Sequence, residues 1–218
     1  MVSISAPLFL AIAFRFGLPA ADRYLLDGMT FKLANYEVLF PITLLLSVPI
    51  MLSMFAAFII LDEQDENVLT YLAITPLTKK GYLIYRLGAP VSISTLLAIV
   101  ALFLAGYESI ISPALGVVIL LISFEAPLVA LFIAGIAKNK VEGLAIAKVA
   151  SILLLTPFFY YFVEGSWKYL FGIIPPFWIV AAYDAALANH WNELLYFSIL
   201  SIVSHLFFIH LLLKRFLG

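Results

Sequence analysis

Apolar runs long enough to cross a bilayer recur along the sequence, at about 1–21, 36–61, 87–107, 113–137, 141–162 and 194–213. A span needs roughly 20 apolar residues, because the hydrocarbon core is about 30 Å thick and a helix rises about 1.5 Å per residue. In lipid every backbone N–H and C=O must find its partner within the protein, so isolated runs of this length fold as helices. Hydrophobic residues make up 65% of the chain and charged residues 11%, whereas soluble chains run at about a quarter charged. A soluble domain of 218 residues could not hide that much apolar surface. The sequence therefore predicts an all-α integral membrane protein, a six-transmembrane-helix bundle forming a single transmembrane domain over 1–218.

The charge balance excludes some functions. A formal net charge of −1 argues against a nucleic-acid partner, which would want a basic face. With no cysteine there is no disulfide, no thiolate nucleophile and no cysteine metal site. The start, Met1-Val-Ser-Ile-Ser, lacks the basic region of a cleavable signal peptide. Arg15, in the first run, can snorkel toward the outer headgroups. Pro41, Pro49, Pro90, Pro113, Pro127 and Pro157 fall inside or at the ends of the second to fifth runs, where a bundle tolerates them as kinks.

Residues 163–193 are too broken to span. Within them Pro175-Pro176 open about a dozen apolar residues, which suit a re-entrant or interfacial helix on the extracytoplasmic side. Trp167, Tyr169, Phe177, Trp178 and Trp191 crowd the same region, as an interfacial aromatic belt would.

The most polar stretch is 62–86, which carries seven of the 25 acidic and basic side chains: Asp62, Glu63, Asp65, Glu66, Lys79, Lys80 and Arg86. Acids favour a helix N-terminus, beside its free N–H groups and positive dipole end. Val68, Leu69 and Leu72 then form an apolar stripe at helical spacing, ended by Pro76. The pattern predicts a short amphipathic helix along the membrane–water boundary. On composition alone it is either a solvated loop between two spans or a docking element for a soluble partner. With the N-terminus inside, Lys79, Lys80, Arg86, Lys138, Lys140, Lys148, Lys214 and Arg215 lie on the cytoplasmic side, against Arg15, Arg23, Lys32 and Lys168 outside. That asymmetry satisfies the positive-inside rule, with both termini and the 62–86 stretch in the cytoplasm.

The order Asp62-Glu63, Glu66, Leu69, Leu72, Thr75-Pro76-Leu77, Tyr82-Leu83 resembles the segment after the second span of ABC-2 type exporter permeases, in particular the small single-domain permeases of the fluoroquinolone-export kind. Phe124-Glu-Ala-Pro127, Asn139 to Lys148 and Pro175-Pro-Phe-Trp178 extend the resemblance over most of the chain. It implies that 62–86 is a coupling helix gripped by an ABC ATP-binding subunit, with Asp62, Glu63, Asp65, Glu66, Leu69, Leu72, Pro76, Lys79 and Lys80 as contacts. It further implies export of a lipophilic or amphipathic small molecule across the cell membrane and a second permease copy, identical or related. Such permeases usually begin with an amphipathic helix ahead of the first span. None precedes it here, so the chain is either a short version or starts upstream.

No Gly-Lys dipeptide occurs, so the chain has no phosphate-binding loop of its own. It is not expected to be an enzyme or to bind a cofactor: ATP and Mg would sit on the partner subunit. Glu125 is the one clearly central acid of a span, read either as a lining residue of the transport path or as a hydrogen-bonded structural carboxyl. His205 and His210 make a poor metal pair and are read as structural, so no metal site is expected. Gly143, Ala147 and Ser151 recur every four residues on the fifth run and permit close helix approach. In the resembled family the first and fifth spans meet at the dimer seam, so the stripe is either a permease–permease contact or an intramolecular one. The reading from another class is an ion-coupled secondary transporter or channel, with Glu125 and a histidine of the last span as proton relay.

Overall fold

The computed structural model describes residues 2–26, 36–68, 71 and 78–217, and every described element is helical. The α-helices are α1 (Val2–Leu26), α2 (Leu39–Asp65), α3 (Thr78–Ala105), α4 (Pro113–Ile122), α5 (Glu125–Ile136), α6 (Lys140–Ala150), α7 (Thr156–Phe162), α8 (Pro176–Leu187) and α9 (Trp191–Leu217). Short 3₁₀ turns occupy Glu108–Ile110, Ser151–Leu155 and Gly165–Ile173.

Among the described residues five stretches are long and apolar enough to cross a membrane: Leu39–Asp65, Thr78–Ala105, Pro113–Ile136, Lys140–Phe162 and Trp191–Leu217. These match the second to sixth runs of the sequence. The 25-residue α1, over the first run, is helical and packs on α2 and α3, but is not among those five. Leu195, Ile199, Val203 and Leu206 of α9 lie exposed along one flank, which suits lipid rather than water.

Two of the spans are discontinuous, each at a proline. Pro127 has no N–H for the Ser123 carbonyl and its ring crowds that oxygen. The chain turns at Ser123–Phe124, and α5 restarts with Glu125 as its first residue. Pro157 likewise cannot serve the carbonyl of Leu153. The backbone there tightens to 3₁₀, and the Thr156 hydroxyl donates to the Leu153 oxygen instead.

α2 is the centre of the bundle, packed on α1, α3, α5 and α6. Toward its Tyr36 end Ile42, Leu45 and Leu46 join a core with Leu102, Leu115, Phe177 and Tyr183. Toward its Asp65 end Ile50, Ala57 and Ile60 join Leu83, Val129 and Ile133. α8, only 12 residues long, sits in the first core against α4, α7 and α9. It forms where the Pro175-Pro176 signal places it, starting at Pro176. The exposed Arg15 donates to the Phe103 and Leu104 carbonyls at 3.3 and 3.4 Å. Both carbonyls lie in the last turn of α3, the end a cation stabilises, and that of Phe103 also accepts from the Gly106 N–H at 3.2 Å.

α6 meets α2 at Gly143. A Cβ there would lie 2.6 Å from Leu61 Cδ1 and 3.2 Å from Phe58 Cε1. A branched side chain would force both aside, and overpacking of this kind costs about 1–3 kcal/mol. Gly143→Val should therefore lower the thermal midpoint of the detergent-solubilised protein, and an unchanged midpoint would show that the α2–α6 contact yields freely.

Candidate functional site

α2 does not stop where the apolar run stops. It continues through Asp62, Glu63 and Asp65, so these acids occupy the C-terminal end of α2, just ahead of the helical residues that resume at Val68. Carboxylates beside exposed carbonyls are unfavourable by a few tenths to about 1 kcal/mol each. Cations from two other helices offset this. Arg86 of α3 grips Glu63 with both arms of its guanidinium, its Nε donating to Oε2 at 2.9 Å, and the Tyr82 hydroxyl donates to the same carboxylate. Lys140 of α6 pairs with Asp62 at 2.5 Å.

The two pairs differ in weight. Glu63 and Arg86 keep 17% and 30% of their side chains exposed, and a bidentate, partly desolvated pair holds its geometry well. Asp62 and Lys140 are half exposed, so their pair contributes about 0–1 kcal/mol. Together they tie the end of α2 to the starts of α3 and α6. The chain then turns at Asn67, whose φ of 59° is the left-handed conformation that ends many helices. A further helical bond runs from Tyr71 N–H to the Asn67 carbonyl at 3.4 Å.

A second polar contact crosses the middle of the bundle. Glu125, at the break in the fourth span, lies 2.8 Å from His205 Nε2 of α9, and neither residue has any exposed surface. His205 Nδ1 lies 2.7 Å from the Ser201 carbonyl. A carbonyl only accepts, so Nδ1 carries a hydrogen and the Nε2 face is turned to Glu125. Either Glu125 donates its proton to Nε2 or an imidazolium donates to the carboxylate; the net charge of the pair is zero in both. Glu125 Oε2 is buried with no partner among the described residues.

A third cluster fastens α8. Asp184 accepts from Tyr160 and Tyr161 of α7 at 3.3 and 3.1 Å, and the Lys168 ammonium lies 4.2 Å over the Tyr160 ring.

A bundle of discontinuous spans, with a charged brace at one end and a single acid–histidine contact inside, is the architecture with which relatives can be compared. The family model described as "Fluoroquinolones export permease protein Rv2686c-like" matches residues 1–213. The chain belongs to this family. Two members, the fluoroquinolones export permease proteins MT2760 and Rv2686c of Mycobacterium tuberculosis (strains CDC 1551 / Oshkosh and ATCC 25618 / H37Rv), are each 28% identical over 190 residues, 85% of this chain and 70% of theirs. No solved structure matches the chain.

In this Rv2686c-like chain, Leu69, Leu72 and Pro76 fall outside the described residues. Of the remaining residues expected to dock a partner, Asp65, Glu66, Lys79 and Lys80 are all exposed. Glu63 differs from the expected solvated acid because Arg86 and Tyr82 enclose it. Gly143 and Ala147 are buried, with Gly143 against α2 of the same chain, and Ser151 is partly buried with its hydroxyl on the Ala147 carbonyl. No three His, Asp or Glu side chains converge as a metal site requires, among the described residues. Sequence reasoning missed Asp184. Its signal was an isolated acid in the apolar dozen from Pro176 to Leu187.

Proposed function

We propose that the chain is the permease subunit of an ATP-driven (ABC) exporter, with α1 as the first of six spans and both termini in the cytoplasm. Stretch 62–86 is the coupling segment on which a separate ATP-binding subunit docks, and ATP and Mg bind to that subunit. A second permease copy completes the path. With Gly143 and Ala147 turned inward, that copy would meet α6 on its exposed side, at Val141 and Leu144. The substrate is a lipophilic or amphipathic small molecule, in keeping with the relatives' name as fluoroquinolone export permeases. Residues 163–193 form the re-entrant or interfacial segment on the outer side, with Ile173–Pro175 at the tip and α8 returning outward.

The observation that carries ATP coupling is the brace. A push on 62–86 reaches α2 directly, α3 through Glu63–Arg86 and α6 through Asp62–Lys140, so a single docking event tilts three helices together. The test is co-purification with the candidate ATPase subunit. Glu66→Lys, at an exposed position, should lose the ATPase while the permease stays folded and membrane-inserted. Leu69→Asp should do the same. Unchanged binding in both variants would remove the docking role.

The Glu125–His205 contact favours one other reading, an ion-coupled transporter using that pair as a relay. It expects transport in vesicles driven by a proton gradient with no ATPase present.

A further inference from the structure

Between α5, the α6–α7 span and α9 runs a groove of about 520 Å³, walled by apolar side chains such as Phe132, Leu153 and Phe208. Its single charged wall is Arg215. The far end is lined by the loop Ile173–Pro175. From Arg215 to Phe208 is seven residues of α9, about 10 Å at a rise of about 1.5 Å per residue. Half the hydrocarbon core is about 15 Å. The groove is therefore about as deep as most of one leaflet, charged at the membrane surface and apolar toward the midplane.

The head end is built rather than incidental. Arg215 Nε donates to the Gly135 carbonyl at 3.1 Å, near the end of α5, which fixes the guanidinium at the mouth. Its two Nη groups have no partner among the described residues. Lys214 precedes it and Lys138 follows the end of α5, and both side chains are exposed. The Glu142 carboxylate accepts from the Lys138 backbone N–H at 2.9 Å. The mouth is cationic, with the fork geometry that suits a phosphate.

We propose that this groove is a binding site for an anionic phospholipid of the leaflet at the Lys140 end of the bundle. The phosphate rests on Arg215, and one acyl chain lies along Phe132, Leu153 and Phe208 to the Ile173–Pro175 loop. The assignment goes beyond the exporter reading and does not depend on which side of the membrane that leaflet faces. A lipid fits better than cargo on two counts: the groove stops near the midplane, and it pairs one anion-binding group with a wholly apolar remainder. In that position the lipid would wedge the tip before α8 against the fourth, fifth and last spans.

The test is native mass spectrometry of the delipidated full chain in detergent, titrated with phosphatidylglycerol or with phosphatidylcholine of the same acyl chains. Wild type should retain the anionic lipid preferentially. Arg215→Gln should weaken it about fivefold, the effect of one basic group at a membrane surface, and leave phosphatidylcholine unaffected. Lys214→Gln, which leaves the groove wall intact, should have a clearly smaller effect. Ile152→Trp, at a half-exposed position on the groove wall, should weaken both lipids. Size-exclusion profiles and helical content verify that each variant is folded. Equal retention of the two lipids overturns the proposal, as does an equal effect of Lys214→Gln, which would signify a diffuse basic patch. If Ile152→Trp alters the oligomeric state and not lipid retention, the groove is a contact between copies and the lipid assignment fails.

Discussion

His205→Leu is expected to destabilise the folded bundle by about 3 kcal/mol or more. Leucine fills much of the imidazole's space but offers nothing to Glu125, whose Oε2 already lacks a partner and whose Oε1 would then lack one too. Breaking a buried ionisable pair from one side costs about 3–5 kcal/mol, because the stranded group keeps its desolvation penalty. An ordinary interhelical hydrogen bond in a bilayer averages about 0.6 kcal/mol. Those magnitudes are far enough apart for the measurement to choose between them. In a reversible unfolding assay in mixed micelles, a loss under about 1 kcal/mol would mean that water or a rearranged side chain reaches Glu125. The double variant Glu125→Leu/His205→Leu should recover most of the loss, since removing both partners of a buried pair is often close to neutral.

Glu125→Gln separates structure from transport. Glutamine presents both a donor and an acceptor to His205, so it keeps the contact with α9 and should cost much less than His205→Leu. It cannot exchange a proton. ATP-dependent export that survives Glu125→Gln leaves the pair as a link holding the break at Ser123–Phe124 against the last span. Transport that disappears while the fold remains moves the relay reading forward.

The spans were legible because hydropathy over 20 or so residues depends only on composition, which is why 36–61, 113–137 and 194–213 reappear as long apolar helices. The dozen from Pro176 was legible for a local reason, as proline both permits a helix start and blocks its extension backwards. Pro127 and Pro157 announced kinks, but whether a proline bends a helix or divides it depends on what takes up the freed carbonyl, here Leu153 by Thr156. At the charged end, the continuation of α2 through the acids was not legible. Asp62 and Glu63 have the look of a helix N-terminus, and nothing local reveals that Arg86 and Lys140, more than 20 and 70 residues away, make them tolerable at the end of α2. Glu125 was singled out for its position in a span, and His205 was read as structural, with a last-span histidine joined to Glu125 only in the relay alternative. Their contact joins residues 80 apart, and only packing supplies it.

Arg86→Ala is expected to uncouple the protein more than it unfolds it. The Arg86–Glu63 pair is partly exposed, so its full strength as a charged hydrogen-bonded contact, about 1.5–3 kcal/mol, must be discounted for solvent. Tyr82 still donates to Glu63 in the variant, so the carboxylate is not stranded as Glu125 would be. The thermal midpoint should therefore fall only modestly and the ATPase should still bind, because Glu66, Lys79 and Lys80 are untouched. What is lost is the fork that makes α2 and α3 answer the same push. Substrate export per ATP hydrolysed in proteoliposomes should drop severalfold, with basal hydrolysis retained. Arg86→Lys should restore stability but not coupling, since an ammonium is a point charge and cannot grip both carboxylate oxygens in a fixed plane. Full coupling in Arg86→Ala would mean that the push travels through Asp62–Lys140 alone, and the charge swap Asp62→Lys/Lys140→Asp would then be the variant to examine. A loss of ATPase binding in Arg86→Ala would instead make Arg86 part of the docking surface rather than the lever behind it.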